Sequence, residues 1–326
     1  MAKIAVTDGM EEGAVRWLES QGHEVKVASI DPSALLDGAL AGMDAIVVRS
    51  ATKLTAEVLR ASPGLRAIGR AGVGVDNIDV VVAGELGIPV VNAPRASTQS
   101  VVELTVAHLL ACVRHVARAD RTIRRGEWAK KSLKGTELSG KRLGLIGYGR
   151  IAQSVGQVAQ ALGMEVHAYD PYLPPQVAKA HGTFLHAEVD DLFRRCTHLS
   201  IHCNLTEETH HLVNAERIAS MPHVGADGTV CGRHLVNCAR GGIVDETAVL
   251  EALENGVLTS VALDVFEHEP VNPDHPLLQM DGFHGTPHIG ASTVEAQTRV
   301  GMDIAANVHA VLNGDNCDFI VNRPHL

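Results

Sequence analysis

Short runs rich in Val and Ile alternate along the chain with longer stretches of helical periodicity, the pattern of parallel strands joined by crossover helices. In the first part, Lys3–Asp8, Glu24–Ile30, Ala45–Arg49, Ala67–Arg70 and Val90–Asn92 are predicted strands. Helices are predicted between them at Glu11–Ser20, Thr55–Ala61 and Ile78–Leu86. The longest helical pattern opens at Ser97 or Thr98, either of which suits an N-cap, and is predicted to run unbroken to about Ala119. A basic stretch from Arg121 to Lys134 follows, and a second series of strands begins: Arg142–Ile146, Glu165–Tyr169, His198–His202, His234–Asn237 and Ser260–Leu263. Ser292–Leu312 reads as another long helix, and Phe319–Asn322 as a last short strand.

A chain of 326 residues suffices for two hydrophobic cores. Only 3% of the residues are aromatic, so those cores are built from aliphatic side chains, which suits layered β/α packing. The formal charge of -10 argues against nucleic acid as a partner, although local arginines can still receive a small anion. Met1–Val6 leads directly into a strand, so no signal peptide is expected, and the apolar stretch Val101–Val116 is interrupted by Glu103, His108, Arg114 and His115, so no membrane span is expected. Six scattered cysteines suggest free thiols and a cytoplasmic protein.

The segment Leu143–Ala152 carries Gly147-Tyr148-Gly149-Arg150-Ile151-Ala152 between a strand and a helix. Gly147 permits the tight turn, Gly149 lets backbone approach a pyrophosphate, and the small Ala152 allows close packing, while the helix N-terminus supplies amide donors. Asp170, ending the strand Glu165–Tyr169, has the position of an acid that accepts from ribose hydroxyls and repels a 2′-phosphate, so NAD is the expected cofactor. The expected class is therefore α/β, with two Rossmann-like or flavodoxin-like doubly wound parallel-sheet domains and the active site in the cleft between them. Residues 1–98 with 293–326 are expected to form one domain and 99–292 the other.

Three later segments gather charge just past strands: Asn237–Gly242 with Arg240, Leu263–Pro270 with Asp264 and Glu269, and Thr286–Ala291 with His288. Each residue has an ordinary structural alternative, and with 18 histidines no single one is informative. Together, in this order, and with Gly69–Asp79, Val91–Pro94, Gly135–Leu138 and Tyr169–Pro171, these segments resemble the D-2-hydroxyacid dehydrogenase family over nearly the whole chain, most of all its phosphoglycerate-oxidising branch.

The resemblance implies that His288 is the general acid/base, that Glu269 holds its imidazole, and that Arg240 clamps the substrate carboxylate. It implies that Asp264 contacts the nicotinamide carboxamide and that Gly147, Gly149, Arg150, Ile151, Asp170 and Cys238 line the cofactor. It assigns the split domain to substrate and the central one to NAD, and it implies a small anionic 2-hydroxy or 2-keto acid substrate, no metal, and a homodimer or higher homo-oligomer. Arg49, Ser50, Arg70, Val73 and Gly74 match positions that hold a substrate phosphate and carboxylate, against the alternative that the arginines serve structural ion pairs. Lys130 and Lys131 follow Trp128-Ala129, where relatives reach a neighbouring active site.

The sequence departs from the family pattern at Ala152, at Asn204 where proline is usual, and in a longer Met221–Asn237 segment. The end soon after Asn322 leads to the expectation that no regulatory domain is appended. A zinc reading of His223, Cys231, His234 and Cys238 is disfavoured by their spacing. Three functions remain open at this point: oxidation of 3-phosphoglycerate, reduction of glyoxylate, hydroxypyruvate or another unphosphorylated 2-keto acid, and an NAD-sensing role like that of dehydrogenase-related corepressors.

Overall fold

The structure, a computed structural model, describes all 326 residues, Met1–Leu326. The chain forms two compact units, one of Met1–Ser100 with Ala291–Leu326, the other of Val101–Gly290.

The first unit contains a parallel sheet of β1 (Lys3–Val6), β2 (Glu24–Val27), β3 (Ala45–Val48), β4 (Ala67–Arg70) and β5 (Val90–Asn92), in the order β2-β1-β3-β4-β5. The inner strands β1 and β3 read as apolar runs because both faces are covered, whereas the edge strand β2 is polar and largely exposed. Along β1, Ile4 and Val6 enter one core while Ala5 enters the other, and along β3 Ala45 and Val47 part from Ile46 and Val48 in the same way. Helix Val294–Asn313 lays Val300, Ile304, Ala305, Val308 and Leu312 on the first of these cores. The surrounding helices start where the sequence offers an acceptor: Thr55, Asp79 and Thr293 each take the N–H three residues on.

The second unit holds a seven-stranded parallel sheet. Its strands are β6 (Arg142–Ile146), β7 (Glu165–Tyr169), β8 (Phe184–His186), β9 (His198–Ile201), β10 (His234–Asn237), β11 (Ser260–Leu263) and β12 (Phe283–Gly285). The order is β12-β11-β10-β9-β6-β7-β8, so the direction of winding reverses between β6 and β9. That is where ligands bind in open sheets of this kind, outside the carboxyl ends of the strands.

Three sequence expectations need correction. The helix predicted to Ala119 ends at Arg114; His115 adopts a left-handed backbone (φ 54°), and a second helix, Val116–Arg124, departs at 66°. Continuous apolar periodicity does not report one residue whose backbone breaks the turn. Phe319–Asn322 is not a strand, since Ile320 makes one isolated bridge to Val91. The edge strands β8 and β12 were not predicted at all: at three residues each, with histidines and glycine in them, they are too short and too polar to stand out. No single helix is long and apolar enough to cross a membrane.

Candidate active site

The turn after β6 is shaped by close backbone approach. Gly147 has φ +83°, and a Cβ there would lie 2.8 Å from the nitrogen of Cys203 in the loop after β9. Helix Arg150–Ala161 starts from Gly149 with no side chain capping its first N–H groups, and the space in front of Gly149 is open. Asp170 orders the same turn, accepting from Tyr148 N at 2.9 Å and Tyr172 N at 3.1 Å. An uncapped helix N-terminus, open space beside a glycine and a carboxylate at the end of the next strand fit a dinucleotide: donors for the pyrophosphate and an acceptor for ribose. Arg150 and Ile151 form the first helical turn. Cys238, just past β10, is half-buried, and burial pushes its thiol up to about 12, against a hydrogen bond with Thr105. It is packing surface, not a nucleophile.

Arg240, Glu269 and His288 come together within the second unit. His288 Nδ1 donates to Glu269 Oε2 at 2.7 Å, which leaves Nε2 as the ring nitrogen not committed to Glu269; the imidazole is 44% exposed and the carboxylate 37%. Burial disfavours ionisation of Glu269. The hydrogen bonds from His288 and from Phe266 N, with the charges of His288 and Arg240, outweigh it and hold the carboxyl below its ordinary range. The Arg240 loop is set by Asn237, which donates from Nδ2 to Arg240 O at 2.9 Å and accepts from Ala239 N at 2.9 Å, and Arg240 Nη1 donates to Ala239 O at 2.7 Å.

Asp264 is 1% exposed and does more within the protein than the sequence suggested. It accepts from Thr286 Oγ1 at 2.5 Å, Ile289 N at 2.9 Å and Gly290 N at 2.9 Å, and so ties down both sides of His288, which sits at φ 52°.

In the first unit, β3 and β4 pair Val48 with Arg70, so Arg49 and Arg70 leave adjacent strand ends. Asp8 accepts from Arg49 N at 2.7 Å and Thr52 N at 3.0 Å, while Asn77 Nδ2 donates to Arg49 O at 2.8 Å and Thr52 O at 2.7 Å, clamping the loop that carries Ser50. The turn Gly72–Gly74 is held by Asn92 Nδ2 donating to Val73 O at 2.7 Å. The Arg70 guanidinium lies where a Cβ on Gly72 would be, 1.5 Å away. Asp8, Asn77 and Asn92 were not singled out as functional from the sequence; short polar side chains directly after apolar strands are the signal that could have found them.

Of His223, Cys231, His234 and Cys238, His234 has both ring nitrogens engaged, with Ser260 Oγ and Cys231 O at 2.8 Å each. A different set, His211, Asp245 and Glu267, brings potential ligand atoms within 4.8 Å of one another. Asp245 also caps helix Glu246–Glu254, and Glu267 accepts from Glu246 N at 3.1 Å and pairs with His211 Nε2 at 3.1 Å, so each carboxylate has a structural task.

Residues 106–290 match the family described as D-isomer specific 2-hydroxyacid dehydrogenase, NAD binding domain. A D-3-phosphoglycerate dehydrogenase of Methanocaldococcus jannaschii is 46% identical over 327 residues, covering 100% of this chain and 60% of the relative, so the chain spans less than two thirds of that protein's length. A hydroxypyruvate reductase of Thermotoga maritima is 43% identical over 310 residues, covering 94% of this chain and 97% of the relative. Among solved structures, a D-lactate dehydrogenase from Aquifex aeolicus complexed with NAD and lactic acid superposes with a TM-score of 0.84 at 29% identity, covering 96% of each chain.

Proposed function

That this chain belongs to the D-isomer specific 2-hydroxyacid dehydrogenase family, whose domain binds NAD, is the premise from which we propose that it oxidises 3-phosphoglycerate at C2 to the 2-keto acid. The observation that carries the chemistry is the cluster of His288, Glu269 and Arg240. NAD, when bound, accepts the hydride that leaves C2. The hydroxyl proton goes to His288 Nε2, because Nδ1 is committed to Glu269, and the C2–O bond becomes a carbonyl. Glu269 stabilises the imidazolium that results, which lowers the barrier to taking the proton. Arg240 holds the substrate carboxylate and polarises the forming carbonyl with a planar pair of donors. In the reverse direction the same residues return the proton. The Gly147–Ile151 turn would hold the pyrophosphate, Asp170 the ribose and Asp264 the carboxamide, with Cys238 packing alongside.

We assign the phosphate to Arg49 and Arg70, assisted by Ser50 and by the backbone of Val73 and Gly74. A guanidinium fork suits a tetrahedral oxyanion, and support comes from the loops that hold these residues in place. Replacing Arg49 by Ala is expected to raise KM for 3-phosphoglycerate by about 10- to 100-fold, the worth of a charge-assisted hydrogen bond, with little change for glycerate. Equal losses on both substrates would contradict a phosphate clamp. The Thermotoga maritima relative, matched over nearly its full length, favours as a second reading the reduction of hydroxypyruvate, with the same catalytic residues.

We further propose a cytoplasmic homodimer in which the exposed Leu110, Val116, Ile123 and Trp128 are covered by a second copy. Sedimentation as a monomer at micromolar concentration would contradict the dimer.

A further inference from the structure

The turn that carries His288 is held on both sides, by the sheet and by Asp264. Thr286 N donates to Leu263 O at 3.0 Å, continuing the sheet, and His288 N donates back to Thr286 O at 3.0 Å. Beyond that point, Asp264 is the anchor, through Ile289 N and Gly290 N at 2.9 Å each. The carboxylate of Asp264 is in turn fixed by the Thr286 hydroxyl, which has one proton and gives it to Asp264 Oδ1 at 2.5 Å. That hydroxyl must therefore act as acceptor toward His108, whose Nε2 lies 3.0 Å away. His108 sits on the buried face of helix Thr98–Arg114, with its ring centroid 5.1 Å from that of His284.

We infer that His108, Thr286 and Asp264 form a brace whose function is to aim His288, with Thr286 and His108 acting as positioning residues through Asp264. Three features support this. Every donor in the chain His108–Thr286–Asp264 points the same way, so removing the hydroxyl breaks it at its centre. The brace ends on the two N–H groups that follow His288, whose left-handed backbone (φ 52°) is unfavourable for a residue with a Cβ and persists only where neighbours fix it. Burial lowers the His108 pKa, and the opposing charge of Asp264 does not restore it, so the environment favours the uncharged ring that the donor direction requires. His284 beside it is lowered to about 4 by burial, then by His108 and Arg121, so no buried cation competes for Asp264.

The inference rests on His288 being the acid/base, and its test separates the two ideas. Thr286→Val keeps the shape and removes the hydroxyl; Thr286→Ser restores it; His108→Gln alters the far end if the valine variant does not fold. The readouts are steady-state kinetics and the downfield proton NMR resonance of His288 Nδ1–H, identified by its loss in His288→Asn. The brace predicts that Thr286→Val lowers kcat about 10- to 100-fold, the cost of a misaimed group, while KM for 3-phosphoglycerate stays within about twofold. It also predicts that the resonance weakens through faster exchange, that Thr286→Ser recovers both, and that His108→Gln shows a smaller loss of the same kind. An unchanged resonance in both Thr286→Val and His108→Gln overturns the brace, as does a loss of kcat that Thr286→Ser fails to restore. Should His288→Asn keep the parent's kcat, the acid/base assignment alone falls, and the resonance still decides the brace.

Discussion

A histidine can take a hydroxyl proton reliably only when one ring nitrogen is committed and the other left open. The bond to Glu269 at 2.7 Å gives His288 the commitment that its proposed role needs, and the ionisation of Glu269 is kept easy by the donors and the arginine around it. Glu269→Gln keeps an acceptor but removes the charge that steadies the imidazolium. It is expected to lower kcat about 10- to 100-fold, a part of what acid–base catalysis contributes, with KM for NAD unchanged; parent-like kcat would contradict the role. His288, Glu269 and Arg240 stood out in the sequence as charged residues just past apolar strands, and their proposed roles came from the family resemblance of those segments taken together. The deeper partners did not stand out. Thr286 is adjacent to the Pro287-His288 pair yet gains meaning only through Asp264, 22 residues earlier, and His108, 178 residues earlier. A histidine on the apolar face of a helix is the one clue, since buried polar groups require partners.

At the scale of elements, the parallel strands were legible because sheets covered on both faces demand uninterrupted apolar runs, and β6, β7, β10 and β11 keep the predicted bounds. Edges obey no such demand, which is why β8 and β12 were missed. The glycine turn after β6 is the element to which we assign the cofactor pyrophosphate. Gly147→Ala places a Cβ in a left-handed backbone and 2.8 Å from Cys203 N, where the obstacle is main chain that cannot move aside cheaply. A loss of about 1–3 kcal/mol of stability is expected from the strained backbone, with weakened NAD binding. Denaturant unfolding and calorimetric titration with NAD would check both, and parent-like affinity would show that the turn tolerates a side chain.

Across the molecule, the sequence revealed two βα series but not how the longer Met221–Asn237 segment is secured. Its turn closes with Gly225 N donating to Thr229 O at 2.8 Å, and Asp227 accepts at 2.8 Å from Lys141, whose side chain is only 4% exposed. Hydrogen bonds from Lys141 and Thr229 N, against a small desolvation cost and with further help from the Thr229 hydroxyl and the Lys141 charge, pull the Asp227 carboxyl down to about 2. A depressed folded pKa means the stabilisation is complete above the ordinary value of 3.8 and is lost as pH falls toward about 2. Asp227→Asn should therefore unfold more easily than the parent at neutral pH, with the gap closing in strong acid; a gap independent of pH would mean that the charge is not what matters. The buried Lys141 was unreadable from sequence, where it appears as one more cation opening a strand.

The central claim concerns what the assembled groups act upon. The direct measurement is NADH formation at alkaline pH from NAD with 3-phosphoglycerate, set beside glycerate, lactate and other unphosphorylated 2-hydroxy acids. The account predicts a kcat/KM for 3-phosphoglycerate at least about 100-fold above the others, as expected where buried polar groups go unpaired without their ligand. Faster turnover of an unphosphorylated acid, or no NADH from any of them, would contradict it.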